Sequence, residues 1–254
     1  MKKFAGKVAI VTGVSRKKGI GFAVAHMLAH NGADIFLAYY RPYDTQAHNE
    51  NDAEVIDEII VELRKYGVVV EALEIDLGLP ESPKQLMDEA IKSFGKVDIL
   101  INNACYSDNE NLETLTVESL DKHYAVNTRA ILLLTSEFAK RFTGSEGFVV
   151  SMTSGQGVGP MPEEISYAST KGAIDAFTLS ASPTLAKKSI KIYALDPGPV
   201  DTGWMSEELK TDVMQASTRK RITVPTDVAQ EVLSLLSGEG ETQSGQVIRK
   251  RYGI

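Results

Sequence analysis

The apolar positions of this chain change period repeatedly. KVAIVT (7–12), DIFLAYY (34–40), VVVEALEI (68–75), VDILIN (97–102), GFVVSMT (147–153) and IKIYAL (190–195) are short β-branched runs, and GQVIRK (245–250) is a weaker seventh. Between them, apolar residues recur every three or four positions. Ile20, Ala23, Val24, Met27 and Leu28 form one such stripe; Val55, Ile56, Ile59, Ile60 and Leu63 form another, which ends near Gly67. Strands that are apolar along their whole length suit a parallel sheet covered on both faces. Their alternation with helices predicts an α/β fold, a doubly wound parallel sheet of about seven strands with right-handed crossovers. No repeat, low-complexity tract or linker divides the sequence, so residues 1–254 read as a single domain. The polar stretch 41–52 reads as a mobile surface loop.

Composition narrows the function classes. The net charge of −7 opposes general nucleic-acid binding, which carries a basic excess. Cys105 is the one cysteine, so an internal disulfide is impossible and a reducing compartment is expected. The apolar run behind Met1, Lys2 and Lys3 is too short for a signal peptide. No stretch approaches the ~18 uninterrupted apolar residues of a membrane span. These features predict a cytoplasmic protein with neither a membrane nor a nucleic-acid partner.

In a parallel sheet, ligands collect beyond the carboxyl ends of the strands. Here each strand end carries a small or polar group. TGVSRKKGIG (12–21) follows the first strand and leads into a helix whose free amides and dipole favour a diphosphate. A glycine turn alone is a weak pointer, because any tight turn uses glycine's backbone freedom. Arg41 follows the second strand, Asp76 and Leu77 the third, and Asn102, Asn103 and Ala104 the fourth. Ser154 follows the fifth, and DPGPVDT (196–202) the sixth. YASTK then places Tyr167 and Lys171 four residues apart, on one helix face. A neighbouring ammonium favours a phenolate, and so moves a phenol of ordinary pKa ~10 toward working pH. With nine tyrosines in the chain the pair is unspecific by itself; Ser154, directly after a strand, gives it weight.

These residues together resemble the short-chain dehydrogenase/reductase family, whose likeness runs from Lys7 to about Gly245. The matching marks are TG…GIG, Asp76, NNA (102–104), Asn127 in YAVNTRA, Ser154, YxxxK (167–171) and PGPVDT (197–202). The resemblance implies a Rossmann-type fold and hydride transfer between a nicotinamide cofactor and a substrate carbon. By the same resemblance Tyr167 exchanges the proton with the substrate oxygen. Lys171 holds the nicotinamide ribose and lowers the Tyr167 pKa, Ser154 hydrogen-bonds the carbonyl oxygen, and Asn127 kinks its helix and holds a relay water. Gly13, Ser15, Arg16, Lys17, Gly19, Ile20 and Gly21 would surround the diphosphate. Asp76 would accept from the adenine amino group with the Leu77 amide beside it, and Asn103 and Ala104 would line the adenosine ribose. Pro197, Gly198, Val200 and Thr202 would meet the nicotinamide end.

Five residues separate Gly13 from Gly19, where the common subfamily has three. That loop is similar to the one in divergent enoyl-acyl-carrier-protein reductases, but their tyrosine, seven residues before the lysine, is Glu164 here. The helix therefore follows the ketone/alcohol pattern. No carboxylate ends the second strand, as a site for an adenosine 2′-hydroxyl would require. With Arg16 and Arg41 suited to bidentate phosphate recognition and Lys17 or Lys18 assisting, the expected cofactor is NADP(H), with NAD(H) as the alternative.

Several features depart from the family or stand outside its motifs. Cys105 replaces the glycine usual after NNA, Tyr193 replaces a structural asparagine, and QVIRKRYGI replaces the usual V-D-G-G tail. His26 and His30 have helical metal-ligand spacing without a third ligand, so they read as solvent-exposed and no metal is expected. Arg249, Lys250 and Arg251 read as a solvated tail. The segment 203–224 is where the family builds a substrate lid; Trp204, Met205 and Met214 there, with Tyr106, Gln156 and Met161, are the candidate substrate contacts. The expected activity is that of an NADP-dependent oxidoreductase interconverting a ketone and a secondary alcohol, most like a 3-oxoacyl-acyl-carrier-protein reductase. Its substrate would be a small molecule or acyl thioester, and its assembly a homotetramer or homodimer. A sugar, polyol or xenobiotic alcohol dehydrogenase, and a non-catalytic NADP-binding regulator, are the alternatives.

Overall fold

The computed structural model describes residues 2–48, 54–203, 205–238 and 242–250. Seven strands form one sheet: β1 (Val8–Thr12), β2 (Asp34–Tyr39), β3 (Val70–Glu74), β4 (Ile99–Asn102), β5 (Gly147–Met152), β6 (Ile190–Asp196) and β7 (Val247–Arg249). Their order is β3-β2-β1-β4-β5-β6-β7, and every pairing is parallel. The chain runs outward from β1 to β3 and then crosses back to β4. A crevice therefore opens between the carboxyl ends of β1 and β4, the switch point at which such sheets bind ligands.

Alternation within each strand feeds two cores. Ala9, Val11, Ile35, Leu37, Ile99, Ile101, Val150 and Leu195 point to one face, under α1 (Ile20–His30), α3 (Val55–Arg64) and α9 (Pro225–Ser237). Ile10, Phe36, Leu100, Val149 and Ile192 point to the other, under α4 (Ser82–Phe94) and α6 (Ile131–Arg141). β1 is buried at all five positions, whereas edge strand β3 turns Glu71 and Glu74 to solvent. The sequence reading placed each strand within two or three residues of these bounds.

The stretch after β2 is a correction. Arg41–His48 is helix α2, not a loop, and 49–53 lie outside the described residues. Its outward residues are polar, so no apolar stripe betrayed it; Tyr43 anchors it by packing on Tyr106. α5 (Val117–Tyr124) runs through a π-helical turn at Ala125–Ala130 into α6. α7 (Ile165–Ala186) is the longest helix described, and α8 (Glu207–Ala216) lies within the segment 203–224. Among the described residues, no helix is long and apolar enough to cross a membrane.

Candidate active site

The turn after β1 brings three backbones into contact. Gly13 has φ +73°, and a Cβ there would stand 2.7 Å from Ala104 Cα. A Cβ on Gly21 would stand 2.5 Å from the Gly13 carbonyl oxygen. Thr12 Oγ1 accepts from the amides of Asn103 and Ala104, each at 3.0 Å, and the Asn103 amide group donates to the Thr12 and Gly13 carbonyls at 2.9 and 3.1 Å. The first helical residues, Ile20 and Gly21, follow Gly19, which offers no side-chain cap to α1. Free amides at an uncapped helix start, in a cradle that side chains would fill, fit a diphosphate.

Two basic residues of this turn, Arg16 and Lys17, have protein partners. Arg16 Nε lies 3.5 Å from Asp44 of α2, and its Nη1 donates to the Thr202 carbonyl at 3.5 Å. Lys17 is drawn outward to Glu58 of α3 at 2.6 Å, and so does not face the cleft alone. Arg41 donates to Glu74 through Nε (3.1 Å) and Nη2 (2.8 Å). That hydrogen bond holds the Glu74 carboxyl below the usual carboxylate range. Asp76 accepts from the Gly78 amide at 2.7 Å and from the Tyr40 phenol, whose pKa is raised by burial and by this carboxylate; Leu77 beside it is buried. Gly198, at φ +69°, donates its amide to Asp196 at 2.9 Å, between Pro197 and the buried Val200. Ser15 is buried in the same turn.

Ser154, Tyr167 and Lys171 come together at the carboxyl end of β5. Burial pushes the Tyr167 phenol up, the charge of Cys105 adds to it, and the Ser154 hydroxyl, hydrogen-bonded to the phenol, draws it back down. Lys171 is 2% exposed and donates to the Met152 carbonyl at 2.9 Å, with Nζ 5.4 Å from the Tyr167 ring centre. The expected lowering of the phenol by this ammonium is a correction: desolvation is the largest effect, and the group that lowers the phenol is Ser154. Cys105, one residue past Ala104, hydrogen-bonds with Lys171, and its thiol is pushed up by burial.

The loop after β4 is pinned from three sides. Asn127, fully buried in the π-helical turn, accepts from the Tyr106 amide and donates to the Tyr106 carbonyl, both at 2.8 Å, and donates to Thr170 Oγ1 at 3.2 Å. His123 Nε2 accepts from the Asp108 amide at 3.2 Å, and Nδ1 faces the Ser119 carbonyl at 2.9 Å. Those partners require the neutral Nδ1–H tautomer. The Tyr43 hydroxyl accepts from the Ser107 amide at 3.1 Å. Glu110 receives the Ser166 amide at 2.9 Å, so its carboxylate caps the start of α7. Burial raises Glu110, but hydrogen bonds from Ser119 and Ser166 outweigh it and leave the carboxyl below its usual range.

The substrate candidates fare unevenly. The Tyr106 ring packs between Tyr43 and His123, and Met161 is half-buried. Met205 is buried and Met214 exposed, while Trp204 lies outside the described residues. Gln156 Nε2 donates to Asp175 at 2.9 Å and to Thr153 at 3.3 Å, which commits its donor to the protein and leaves Oε1 without a hydrogen-bond partner. Arg249 is a correction. It is no solvated tail residue but ends β7, 2.9 Å from Asp175. His26 and His30 both meet the Tyr66 ring edge-on, and the described residues hold no group able to bind a metal. Sequence reasoning missed Thr12, Tyr43, Glu110, Asp175 and Arg249. Thr12 was legible as the first letter of the turn; the others are brought in from distant segments.

The family model for short chain dehydrogenase matches residues 7–213. The chain is a short-chain dehydrogenase. This short-chain dehydrogenase is 39% identical to the oxidoreductase YjdA of Bacillus subtilis (strain 168) over 98% of its own length and 96% of the relative's. It is 29% identical to versicolorin reductase 1 of Aspergillus parasiticus, across 96% of the chain and 94% of the relative. Among solved structures, a short chain dehydrogenase from Burkholderia cenocepacia J2315 in complex with NADP superposes with a TM-score of 0.86 at 27% identity, over 97% of each chain. The protein is accordingly an NAD(P)-dependent oxidoreductase acting on CH–OH and C=O groups.

Proposed function

We propose that this dehydrogenase reduces a ketone to a secondary alcohol with NADPH. The observation that carries the reading is the buried Tyr167 phenol, hydrogen-bonded to Ser154, with the Lys171 ammonium beside its ring. Burial keeps the phenol protonated at neutral pH, the form needed to give a proton to a carbonyl oxygen. Ser154 donates to that same oxygen, orienting it and stabilising the charge that develops there. Lys171 holds the compensating positive charge in a dry site. A nicotinamide dinucleotide bound in the cleft supplies the hydride. Gly13, Gly19, Ile20 and Gly21 would hold its diphosphate, Asp76 and Leu77 its adenine, Asn103 and Ala104 its ribose, and Pro197, Gly198, Val200 and Thr202 its nicotinamide side.

Arg16 and Arg41 favour the 2′-phosphorylated cofactor, and the Burkholderia structure holds NADP. For the substrate we favour an extended or ring ketone over a small one. The 3-oxoacyl thioester is one such class, and the substrate of a versicolorin reductase is the second. The exposed apolar side chains of Val117, Leu120 and Tyr124 on α5 and Leu179 on α7 support a homodimer or homotetramer through those helices.

The test is NADPH oxidation with acetoacetyl thioesters and polycyclic ketones, beside fluorescence titrations of NADPH and NADH. Tyr167→Phe is expected to lower turnover by about 10²–10⁴-fold and leave NADPH binding within about twofold. Retained turnover in that variant overturns the mechanism. NADH binding as tight as NADPH overturns the cofactor assignment. Tight cofactor binding with no turnover anywhere in the panel makes the protein a nucleotide-binding regulator.

A further inference from the structure

Arg249 ends β7, in register with Asp196 of β6. Its Nη2 lies 2.9 Å from Asp175 Oδ2, and its Nη1 donates to the Ser154 carbonyl at 3.2 Å and stands 3.6 Å from Asp196 Oδ2. Asp175 belongs to α7, one turn beyond Lys171 and two beyond Tyr167. Its second oxygen, Oδ1, accepts from the Thr153 hydroxyl at 2.6 Å, and Gln156 Nε2 donates to Oδ2 at 2.9 Å. One planar fork thus joins the last strand, the helix bearing the phenol and ammonium, and the peptide of Ser154. The two side chains of the central pair are only 28% and 19% exposed, so solvent screens it less than a surface pair. Residue 157 lacks a side chain where the fork passes, since a Cβ there would stand 2.6 Å from Nη2.

A charge-assisted bond to a carbonyl fixes the plane of that peptide, and with it the direction of the side chain it carries. We infer that Arg249 is a positioning residue: anchored by Asp175 and Asp196, its guanidinium orients Ser154 so that the hydroxyl meets the Tyr167 phenol. The inference rests on the Ser154–Tyr167 pairing proposed above. Lysine cannot substitute, because a point charge does not reach Asp175 and the Ser154 carbonyl with the fixed fork that arginine presents.

The full-length protein labelled with 13Cζ-tyrosine tests this without any substrate. The Tyr167 resonance is assigned by its loss in Tyr167→Phe, and Ser154→Ala marks its position without the hydroxyl. Arg249→Met is expected to move the resonance to the Ser154→Ala position, with NADPH affinity unchanged within about twofold. A resonance left at the wild-type position in Arg249→Met overturns the inference while the pairing stands. A Ser154→Ala resonance identical to wild type overturns the pairing itself, and the inference with it. Should Arg249→Met fail to fold, Gly157→Ala keeps the arginine but crowds its Nη2; it must give the same displacement, and a wild-type resonance there is equally fatal. Turnover of a responsive ketone adds a second readout. Arg249→Met should lower kcat by about tenfold in the wild-type background and add nothing in Ser154→Ala; equal losses in both mean that Arg249 does not act through Ser154.

Discussion

At one end of the cleft Lys171 is sealed from solvent and bonded to a backbone carbonyl; at the other, Arg41 is 44% exposed and pairs with Glu74 across the surface. The first end combines groups that are expensive to bury, each given a fixed partner: Asn127 on Tyr106, His123 on Asp108, Arg249 on Asp175 and Ser154. The second holds the exposed pairs Lys17 with Glu58 and Arg41 with Glu74, beside the half-buried Arg16 and Asp44. Buried polar networks are rigid, because a half-satisfied one is heavily penalised. Exposed pairs are each worth ~0–1 kcal/mol and rearrange readily. The contrast teaches that the chemistry is built into the fold, while the choice of dinucleotide rests on contacts that are easily changed.

The sharpest way to break this contrast is Lys171→Met. It removes the ammonium, orphans the Met152 carbonyl at a cost of about 1–3 kcal/mol and relieves the desolvation of a buried charge. Stability should change little, while turnover falls by about 10²–10⁴-fold. Thermal unfolding measured beside NADPH oxidation checks both. An equal loss of turnover from Arg41→Ala would abolish the distinction between the two ends.

The junction between them yields an intermediate effect. In Gly21→Ala the new methyl meets the backbone Gly13 carbonyl oxygen at 2.5 Å and, at 2.8 Å, the side-chain Asn103 Nδ2, which is held by the Thr12 and Gly13 carbonyls. Relieving that overlap should cost about 1–3 kcal/mol, and for a chain of this size lower Tm by roughly 2–4 °C for each kcal/mol. Because the cradle serves the diphosphate common to both dinucleotides, NADPH and NADH should weaken together, by about tenfold each. Parallel fluorescence titrations decide it; a loss confined to NADPH would place the 2′-phosphate, not the diphosphate, at this turn.

What the sequence made legible follows the same division. The sheet was readable because β1, β4, β5 and β6 are buried at nearly every position and so are mostly apolar. Ser154, Tyr167 and Lys171 were readable because a strand end and one helical turn set their spacing locally. Arg249 was not: its role depends on β7 lying beside β6, a pairing between segments some 50 residues apart, and in isolation RKR reads as a basic tail. The Gln156–Asp175 bond was hidden for the same reason, since Asp175 belongs to another element. α2 escaped because its eight residues are polar except for Pro42, Tyr43 and Ala47, too few to make an apolar stripe, and the Tyr43–Ser107 contact ties it to the loop after β4. Local spacing reveals local chemistry; contacts across the sheet have no counterpart in the linear pattern.

The smallest expected effect probes the adenosine end. Glu74 occupies two nitrogens of the Arg41 guanidinium, the same face a 2′-phosphate would use. Its carboxyl is held below the usual range, so it stays charged at every pH above that lowered value and competes throughout the physiological range. The sign of the linkage follows: the pair's contribution is present above the unfolded carboxylate pKa and is lost only as pH falls through the lowered one. Stability near neutral pH is therefore flat with respect to this pair. Glu74→Gln removes the competing charge and leaves the side chain's size. NADPH should then bind about two- to fivefold more tightly relative to NADH in dilute buffer, and the gain should shrink in ~0.5 M salt, where the screening length is only a few ångströms. An unchanged ratio of the two affinities would mean that Arg41 does not serve the phosphate, and would leave Arg16 alone to distinguish the cofactors.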